Sequence, residues 1–531
     1  METKSPESIN LFVQNGSTFL EMKPPPQINP GFAEMQEVFF CGPAVEGCRL
    51  LVDDAPLAKG VQADRSGWPW KPRFYAGEVR AELIDKDGRH LASWQLDVSP
   101  DETKLGRDRF SEMLTEILEF DPSLVVGQEP ARQRLGALGS NQDPLVALAR
   151  LRSHEVALRR SLKAILREPA RALRSRRSLV PLHQIRRADR QTAIAALNQP
   201  LLLAAMGRLG NIEAASSVRD LRANVPDVER NFDSPANRCL LAMIHALQRR
   251  CFDVSEKIMI RIKGRKERSD TTTPLSHRWP TWDSFLQGMR QDLLTVSRRR
   301  PFSEVTRAEI TAAGLNVVSA HPVYARFWRL AWEALRTGVE GIEQEELLPM
   351  NPTWELYERW CFVELCRNIQ VLSPHLEWRL HGSGSLVGKA STRTRVRLQL
   401  QPNFAKTSGK EKDGFWSISG NRTPDIVLSW ESPEDSGFVV LDAKYRVTCD
   451  NVLDGMSSAH IYQDSLRMGT KRPVCSVLLV PASGGAPWLE KAEFVAEHKV
   501  GIATLRPGDE PSAWLSSILT SCIPADFRRQ A

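Results

Sequence analysis

The spacing of apolar positions changes twice along the chain and predicts three regions of different secondary structure. From about residue 36 to 100, short apolar runs are separated by Gly, Pro and Asp, and the Asp87-Gly88 step is typical of a β-hairpin. From about 109 to 340, apolar residues recur at intervals of three and four, which indicates amphipathic helices. From about 350 onward, a helix is followed by strand-like runs, a second helix and further strands. This order is typical of an α/β domain with a mixed sheet.

The chain is therefore predicted to be a multidomain protein. Residues 1–30 are polar, end near a run of three prolines and are expected to be a flexible lead-in. A β-rich domain is predicted over 31–108, an α-helical domain over 109–345 and a C-terminal α/β domain with a mixed sheet over 346–531. Within the helical domain, helices are expected from Pro144 and over about 191–208, 235–262, 279–298 and 321–337.

Two strand-like segments near the C terminus carry the candidate chemistry. The segments 423–428 and 438–445 are joined by residues that favour turns, which predicts an antiparallel hairpin. Asp442 and Lys444 are two positions apart, so their side chains share one face of the strand. They follow four apolar residues, and charges at the end of a buried strand are costly unless they are paired, hydrated or bound to a metal.

The register of this hairpin decides whether a second carboxylate lies nearby. If Trp430 pairs with Gly437, Asp425 lies directly opposite Asp442, with Cβ atoms about 4.5–5.5 Å apart. Two carboxylates at that distance repel unless a cation lies between them, and a hard ion such as Mg²⁺ (or Mn²⁺) suits oxygen ligands. A lysine beside them, Lys444, can stabilise developing negative charge, which favours metal-assisted hydrolysis of a phosphodiester. A slip of one residue would remove the arrangement, and the alternative is a structural ion cluster at the end of a sheet.

Pro-Asp followed, after a spacer, by Asp-x-Lys resembles the motif of the PD-(D/E)xK nuclease superfamily. The resemblance implies a restriction-endonuclease-like fold, Asp425 and Asp442 as catalytic metal ligands, and Lys444 as the residue that assists attack by water. It also implies an acidic residue on the helix before the sheet, for which Glu358 is the candidate metal ligand; the alternative is a solvated carboxylate. Three polar residues on the next helix are similar to those in the superfamily, or form an ordinary polar helix face: Tyr462, Gln463 and Asp464.

The chain also resembles the McrC-related family of bacterial defence nucleases, which combine a β-rich N-terminal region, a helical middle and a C-terminal nuclease. The segment 442–445 matches the Asp-Ala-Lys-Tyr stretch of that family. The segment from Asp233 to Arg238 resembles its mid-chain Pro-Glu-Asn-Arg-like element, with Ala236 in place of the usual acidic residue. The resemblance implies DNA as the substrate, a role in defence or restriction, and a separate nucleotide-hydrolysing motor subunit as a partner.

The composition of the chain indicates where in the cell the protein is expected to be located. Apolar residues make up 42% of the chain and charged residues 25%, as in ordinary globular proteins. The longest apolar runs fall short of the about 18–20 residues that a membrane span needs, so no membrane partner is expected. The nine cysteines form no CxxC pair, and the N-terminal residues lack the pattern of a signal peptide. A cytoplasmic location is therefore expected.

The positive charge of the chain is concentrated in one region. The net charge is +7, yet residues 150–190 alone contain thirteen Lys or Arg against three Asp or Glu. A basic stripe in this region is expected either to follow a nucleic-acid backbone, or to be a solvated or acid-binding helix face: Arg159, Arg160, Lys163 and Arg167. Three alternating arginines near the nuclease-like motif could also contact phosphates, or serve solubility: Arg393, Arg395 and Arg397.

A glycine-rich segment, 384–390, is similar to a phosphate-binding P-loop but has the wrong spacing and Ala390 after its lysine. No nucleotide hydrolysis by this chain alone is therefore expected. The predicted function is that of a Mg²⁺-dependent endonuclease, and RNA stays open as a substrate. The alternatives are a catalytically inactive nuclease-fold adaptor that binds nucleic acid and a motor partner, and a basic scaffold whose middle helices bind nucleic acid.

Overall fold

The computed structural model describes most of the chain, in segments separated by gaps. The described residues are 11–15, 18–42, 47–62, 64–125, 132–135, 143–181, 184–185, 188–198, 222–264, 275–336, 346–382, 384–391, 394–407, 414–433, 435–511 and 513–522. They divide into two compact units. The first is built from Met1–Ala149, Ile258–Asp283 and Thr337–Ala531, and the second from Arg150–Lys257 and Ser284–Arg336.

The strands and helices are numbered in chain order. The strands are β1 (Phe12–Asn15), β2 (Thr18–Glu21), β3 (Ile28–Ala33), β4 (Val38–Cys41), β5 (Arg49–Val52), β6 (Ala55–Pro56), β7 (Gly60–Gln62), β8 (Arg65–Trp70), β9 (Gly77–Ile84), β10 (His90–Ser99), β11 (Arg132–Leu135), β12 (Ala172–Pro181), β13 (Arg222–Asn231), β14 (Glu346–Pro349), β15 (Glu377–Leu380), β16 (Ser385–Ser391), β17 (Thr394–Leu400), β18 (Ala405–Lys406), β19 (Phe415–Ser417), β20 (Ile426–Glu431), β21 (Ser436–Ala443), β22 (Leu466–Met468), β23 (Ser476–Val480) and β24 (Val500–Thr504). The helices are α1 (Gly106–Phe120), α2 (Pro144–Arg167), α3 (Arg190–Leu197), α4 (Pro235–Gly264), α5 (Leu275–Ser297), α6 (Ala312–Ala320), α7 (Pro322–Leu335), α8 (Thr353–Leu372), α9 (Cys449–Ser465), α10 (Ala492–His498) and α11 (Ala513–Cys522).

The N-terminal part of the first unit is rich in strands, as predicted. One sheet has the order β2-β1-β4-β8-β7 and another the order β14-β11-β9-β10-β3. The hairpin expected at the Asp87-Gly88 step is present as β9 and β10, in which Trp94 pairs with Ala81. Three large side chains, Phe40, Trp68 and Trp94, are almost fully buried and form part of the core of this region.

The expectation of a flexible lead-in over residues 1–30 does not fit the strands found within it. β1 pairs with β2 on one side and with β4 on the other. Leu11 and Val13 are buried in the N-terminal core because alternate positions along β1 face inward, and Met22, which follows β2 and hydrogen-bonds to Leu11, is buried with them. The segment is short and mostly polar, so this alternation is difficult to detect in the sequence.

The C-terminal part of the first unit contains the predicted mixed sheet, of order β15-β16-β17-β20-β21-β23-β24. The strands from β15 to β21 are antiparallel, whereas β21, β23 and β24 are parallel. One face buries Leu398, Leu428 and Leu441 in the same core as Trp360 and Phe362 of α8. The other face packs against α9, where Met456 and Leu478 share a core.

Helix α1 contributes to this C-terminal core although it lies far away in the sequence. Phe110 and Met113 of α1 are buried in the core that contains Trp360. The indole Nε1 of Trp360 also donates a hydrogen bond to Glu116 Oε2 over 2.6 Å. Part of the predicted helical domain 109–345 therefore packs onto the predicted C-terminal domain 346–531.

The second unit is mainly helical, but it also contains a two-stranded ribbon that the sequence did not predict. β12 and β13 pair along ten residues each, from Ala172 with Asn231 to Pro181 with Arg222. Polar residues occupy both faces along much of the ribbon, so the alternation of a half-buried strand is weak. Helix α3 begins near the predicted start of the 191–208 helix and ends at Leu197, and residues 199–221 lie outside the described part.

The mid-chain segment 233–238 connects the ribbon to the helices of this unit. The buried amide of Asn237 donates hydrogen bonds from Nδ2 to the carbonyls of Ala170 and Phe232. Its Oδ1 accepts a hydrogen bond of 2.7 Å from the hydroxyl of Tyr324 in α7. These contacts give the segment a structural role at the base of the ribbon.

None of the described helices is both long and apolar enough to cross a membrane.

Candidate active site

The β20–β21 hairpin has the register that the sequence predicted. Trp430 pairs with Gly437, and the pairing continues to Ile426 with Leu441. Glycine is required opposite the tryptophan, because a Cβ atom on Gly437 would collide with the indole of Trp430. Asp425 directly precedes β20, so this register brings it to the end of the hairpin that carries Asp442.

The ammonium of Lys444 lies between the two aspartates. Its Nζ is 2.6 Å from Asp442 Oδ2 and 3.5 Å from Asp425 Oδ2. The backbone N–H of Ala443 donates a hydrogen bond of 3.0 Å to Asp425 Oδ2. The hydroxyl of Ser458, in α9, donates a hydrogen bond of 2.9 Å to Asp442 Oδ2. The three charged groups therefore form one cluster, supported by the hairpin backbone and by the helix that follows it.

Burial and mutual repulsion change the ionisation of this cluster. Burial raises the pKa of Asp425 well above its ordinary value, and the negative charges of Asp442 and Glu358 raise it further, while Lys444 lowers it. Burial alone would lower the pKa of Lys444, but Asp425 and Asp442 outweigh this effect, so the pKa is raised. Lys444 therefore stays protonated at neutral pH and offsets part of the repulsion between the carboxylates.

Glu358 reaches the same end of the sheet from α8. Its side chain is only 2% exposed, and its Oε1 accepts a hydrogen bond of 2.8 Å from Gln401 Nε2. The backbone N–H of Gln401 also donates a hydrogen bond of 2.6 Å to the carbonyl of Asp425. Burial, followed by the negative charge of Glu355, raises the pKa of Glu358 to about 7. Gln401 thus links the helix carboxylate to the strand that carries the first aspartate.

The three polar residues predicted on α9, Tyr462, Gln463 and Asp464, lie in different surroundings. Tyr462 packs against the apolar core that contains Val427 and Val440, on the face of the sheet that carries Asp425 and Asp442. Burial raises the pKa of its hydroxyl, and the charge of Asp442 raises it further. Gln463 instead donates a hydrogen bond of 2.9 Å from Nε2 to the carbonyl of Pro473. Asp464 is 78% exposed at the surface. Only Tyr462 is therefore placed near the charged residues.

Asp425 and Asp442 bring carboxylate oxygens, the ligands that divalent cations such as Mg²⁺ prefer, to one end of the hairpin. Among the described residues, His, Cys, Asp and Glu side chains form no group of three or more that could hold a metal ion, and the role of Glu358 as a third ligand stays a prediction. Mg²⁺ is usually held by one or two carboxylates together with water and substrate phosphates. Asp442 Oδ1 is buried and has no hydrogen-bond partner in the described structure, which leaves one oxygen donor available.

The basic residues predicted to contact nucleic acid are in different situations. Arg159 is paired within the second unit, with Glu155 at 2.9 Å and Asp292 at 2.8 Å. Arg160 and Arg326 line a cavity of about 220 Å³ between α2 and α7. Arg393 lies outside the described residues. The remaining residues lie on α2 or β17: Lys163, Arg167, Arg395 and Arg397.

Ser458 and Gln401 were not identified from the sequence. Ser458 lies four positions before Tyr462, so the two share one face of α9, and this spacing was an available signal. Gln401 gave no comparable signal. It follows β17 in a left-handed backbone conformation, with φ of 49°, and its role depends on how the strand ends.

Comparison with known families agrees with the expected chemistry. Residues 355–472 match the family model described as the PD-(D/E)XK nuclease superfamily. The C-terminal part of the chain is similar to these nucleases. Glu358, Asp425, Asp442, Lys444 and Tyr462 all lie within the matched segment, so the resemblance inferred from the motif is confirmed at the level of the superfamily.

A second match covers much of the remaining chain. Residues 71–329 match a domain of unknown function, DUF2357, which spans strands of the first unit and the helices of the second. No curated protein matched the chain. The comparisons therefore support a nuclease-like C-terminal part and leave the McrC-related resemblance as a prediction.

Proposed function

We propose that the protein is a divalent-metal-dependent endonuclease that hydrolyses phosphodiester bonds of DNA. One observation carries the proposal: Asp425, Asp442 and Lys444 meet at the end of one hairpin, within the segment that matches the nuclease superfamily. Carboxylates and a lysine in contact provide both ligands for a cation and a positive charge for a phosphate oxygen. The surrounding burial strengthens each of these interactions.

Each residue would have a distinct role. Asp425 and Asp442 would hold Mg²⁺ or Mn²⁺, which supplies Lewis-acid stabilisation of negative charge when it is bound. The ammonium of Lys444 would donate a hydrogen bond to a non-bridging phosphate oxygen, or orient the attacking water. Ser458 holds the Asp442 carboxylate in place through Oδ2. Glu358 can hold or release a proton near neutral pH because its pKa is raised to about 7.

The biological setting is a further part of the proposal. We infer that the nuclease acts in the cytoplasm, in bacterial defence or restriction, together with a separate nucleotide-hydrolysing motor subunit. The support is the McrC-like sequence of residues 442–445 and of the mid-chain segment 233–238. A reading frame for a motor encoded beside this protein would agree with the inference.

A second candidate function also has support from the structure. An adaptor that binds nucleic acid without cutting it would keep the fold and the charged cluster. The position of the Lys444 ammonium between Asp425 and Asp442, where the sequence suggested a metal, is consistent with such a protein. Activity measurements separate the two candidates.

The test is cleavage of supercoiled plasmid by the purified chain with Mg²⁺ or Mn²⁺, alone and with a neighbouring motor. Asp442→Asn and Lys444→Met should each reduce the cleavage rate by about 100-fold or more, since each removes a charge at the reacting centre. Asp464→Asn is the matched control, because Asp464 is exposed on the same helix as Ser458. Metal-dependent cleavage that persists in both site variants would refute the proposed site. Absence of cleavage by the wild-type protein under all conditions would favour the adaptor.

A further inference from the structure

We propose that the exposed face of β15, β16 and β17 is a second contact surface for the phosphate backbone of duplex DNA, and that it positions the substrate at the acidic pair. This inference rests on the proposed nuclease function. We call this surface the basic platform. Its charged residues are His381, Lys389, Arg395 and Arg397, together with Arg379 at the outer strand.

Strand register places the basic platform on the same face of the sheet as the acidic pair. Arg397 pairs with Ser429 on β20. Ser429 and Asp425 are four residues apart and therefore project from the same face, which Asp442 shares in the pairing of β20 with β21. The charges of the platform and of the cluster are thus directed towards the same side of the molecule.

The platform is uncovered because the layer above this face of the sheet extends only over the central strands. There, Phe404 and Leu466 cover Val427, Phe438 and Val440 in a small apolar core. On the outer strands, the alternate residues that face α8 are buried, as for Val396 and Leu398. Their neighbours Lys389 and Arg395 point the other way and are exposed.

Like charges lie directly opposite each other on this platform. Lys389 pairs with Arg395 across β16 and β17, and this pair is flanked in the same row by Glu377, opposite Lys389, and Glu431, opposite Arg395. Lys389 and Arg397 form no ion pair with any described residue. The side chains of Lys389, Arg395 and Arg397 line a cavity of about 320 Å³ with His381, Ser385 and Val387. The cluster therefore has both the charge and the space to accept a phosphate.

The acidic neighbours do not neutralise the platform. Glu431 lies 3.4 Å from Arg395, and Glu377 lies 3.6 Å from Arg379. Both pairs are exposed, and exposed ion pairs contribute little to stability, so a phosphate can take the place of either carboxylate at little cost. The basic platform then has two carboxylates, Glu377 and Glu431, against four permanently charged side chains: Arg379, Lys389, Arg395 and Arg397.

The separation between platform and cluster fits contacts to one duplex. Four residues of extended strand between Asp425 and Ser429 span about 13 Å. That distance corresponds to about four base-pair steps along a DNA strand at about 3.4 Å per step. Contacts of this kind fix the position of the duplex without reading its sequence. The platform would therefore hold DNA in place and leave the choice of the cleaved bond to other features.

The test measures binding of a fluorescein-labelled DNA duplex to the full chain by anisotropy, in EDTA, at salt concentrations of about 50 to 200 mM. Arg395→Gln with Arg397→Gln should reduce the slope of log affinity against log salt by about 2, since each lost phosphate contact contributes about 0.9. The double variant Arg395→Lys with Arg397→Lys should restore the slope. Lys491→Gln with Lys499→Gln, at the opposite edge of the same sheet, removes the same charge and should leave the slope unchanged.

An unchanged slope in the arginine-to-glutamine variant would overturn the inference, and so would an equal loss in the control variant. Plasmid cleavage by the same proteins separates this inference from the proposed function. If the wild-type protein does not cleave but the slope falls as expected, the platform stands and the nuclease proposal fails. If it cleaves and the slope does not change, the nuclease proposal stands and the platform fails.

Discussion

The ammonium of Lys444 lies within 2.6 Å of Asp442 Oδ2 and 3.5 Å of Asp425 Oδ2, so this one residue balances part of the charge of both carboxylates. Alternation and register were sufficient to bring it together with Asp425 and Asp442, because the pattern of a hairpin is local. The sequence did not indicate that the ammonium itself would lie between the carboxylates. That position depends on the conformation of a long side chain within the buried end of the sheet, which no pattern of residues specifies.

Ser458 gives a prediction at this scale. Ser458→Ala removes a hydroxyl that lies 2.9 Å from both Asp442 Oδ2 and the carbonyl oxygen of Gly455, and that fixes the carboxylate when it donates to Oδ2. We expect cleavage to fall by about tenfold, with a loss of about 0.5–1.5 kcal/mol in the free energy of unfolding. Initial rates of plasmid cleavage and urea unfolding curves provide the two measurements.

Ser457→Ala is the control for this prediction. Ser457 precedes Ser458 on the same helix, and its hydroxyl donates to the backbone carbonyl of Asp454, as Ser458 can to Gly455, but makes no hydrogen bond to Asp442 in the described structure. The substitution is chemically identical and should leave the cleavage rate unchanged. Equal rates for the two variants would show that the hydroxyl of Ser458 does not support the site.

At the scale of elements, the C-terminal sheet was predictable and the ribbon was not. The strands of the sheet are apolar enough to appear as runs, as in β20 and β23, where every inner position is buried. Among the ribbon residues whose side chains the structure describes, Ala223 and Val225 of β13 are buried and most of β12 is exposed or half-buried. The paired residues of the ribbon lie between 41 positions apart, for Pro181 and Arg222, and 59 positions apart, for Ala172 and Asn231, so neither local pattern nor proximity indicates the pairing.

The tryptophan–glycine pair of the β20–β21 hairpin leads to a prediction about register. Gly437→Ala places a methyl group against the indole of Trp430, which must then move away from the strand. We expect a loss of about 1–3 kcal/mol in the free energy of unfolding, as in other overpacked cores. We also expect reduced cleavage, because Asp425 and Asp442 depend on this register.

The matched control is Gly288→Ala in α5. A Cβ atom at Gly288 would meet no atom within 4 Å, and the residue lies inside a helix. Alanine is favoured over glycine there by up to about 1 kcal/mol, so the variant should be as stable as the wild type or more stable. Similar losses for both variants in urea unfolding would contradict the role assigned to the indole contact.

The mid-chain segment predicts a dependence of stability on pH. Hydrogen bonds from Arg238 lower the pKa of Asp233 well below its ordinary value, and Thr306 adds to this effect. A lowered pKa in the folded state means that the stabilisation is complete above the unfolded pKa of about 3.9, and is lost as the pH falls towards the folded value. Asp233→Asn should therefore cost about 1–3 kcal/mol at pH 7 and less at about pH 3. Urea unfolding at both pH values measures this difference, and an equal cost at both would contradict it.

At the scale of the whole molecule, positive charge is distributed between the two units. The sequence located the basic region 150–190, but it did not show which of the basic side chains are paired with carboxylates. Arg159 is neutralised by Glu155 and Asp292, whereas Arg160, Lys163 and Arg167 form no ion pair with any described residue. That division depends on how α2 and α5 pack, which sequence periodicity alone does not show.

We expect these three residues to contribute to DNA affinity. Replacing all three by glutamine should reduce the salt slope of binding by about 3, at about 0.9 per contact. Arg159→Gln, whose charge is already paired, should change the slope by far less than about 0.9. Anisotropy titrations on the full chain provide the measurement. A slope that stays at the wild-type value in the triple variant would assign these residues to a solvated helix face.

The packing of α1 against α8 has a consequence for how the protein is made. A ribosome releases α1 roughly 240 residues before it completes α8. Protein synthesis proceeds at about 5–20 residues per second, so Trp360 is synthesised on the order of ten seconds or more after Phe110 and Met113. Until then, these two residues lack the tryptophan with which they share a core in the folded protein. During that interval the nascent chain exposes apolar surface to which a chaperone can bind. Shortening the gap by deletion would change the yield of folded protein in cells before it changed the chemistry at the hairpin.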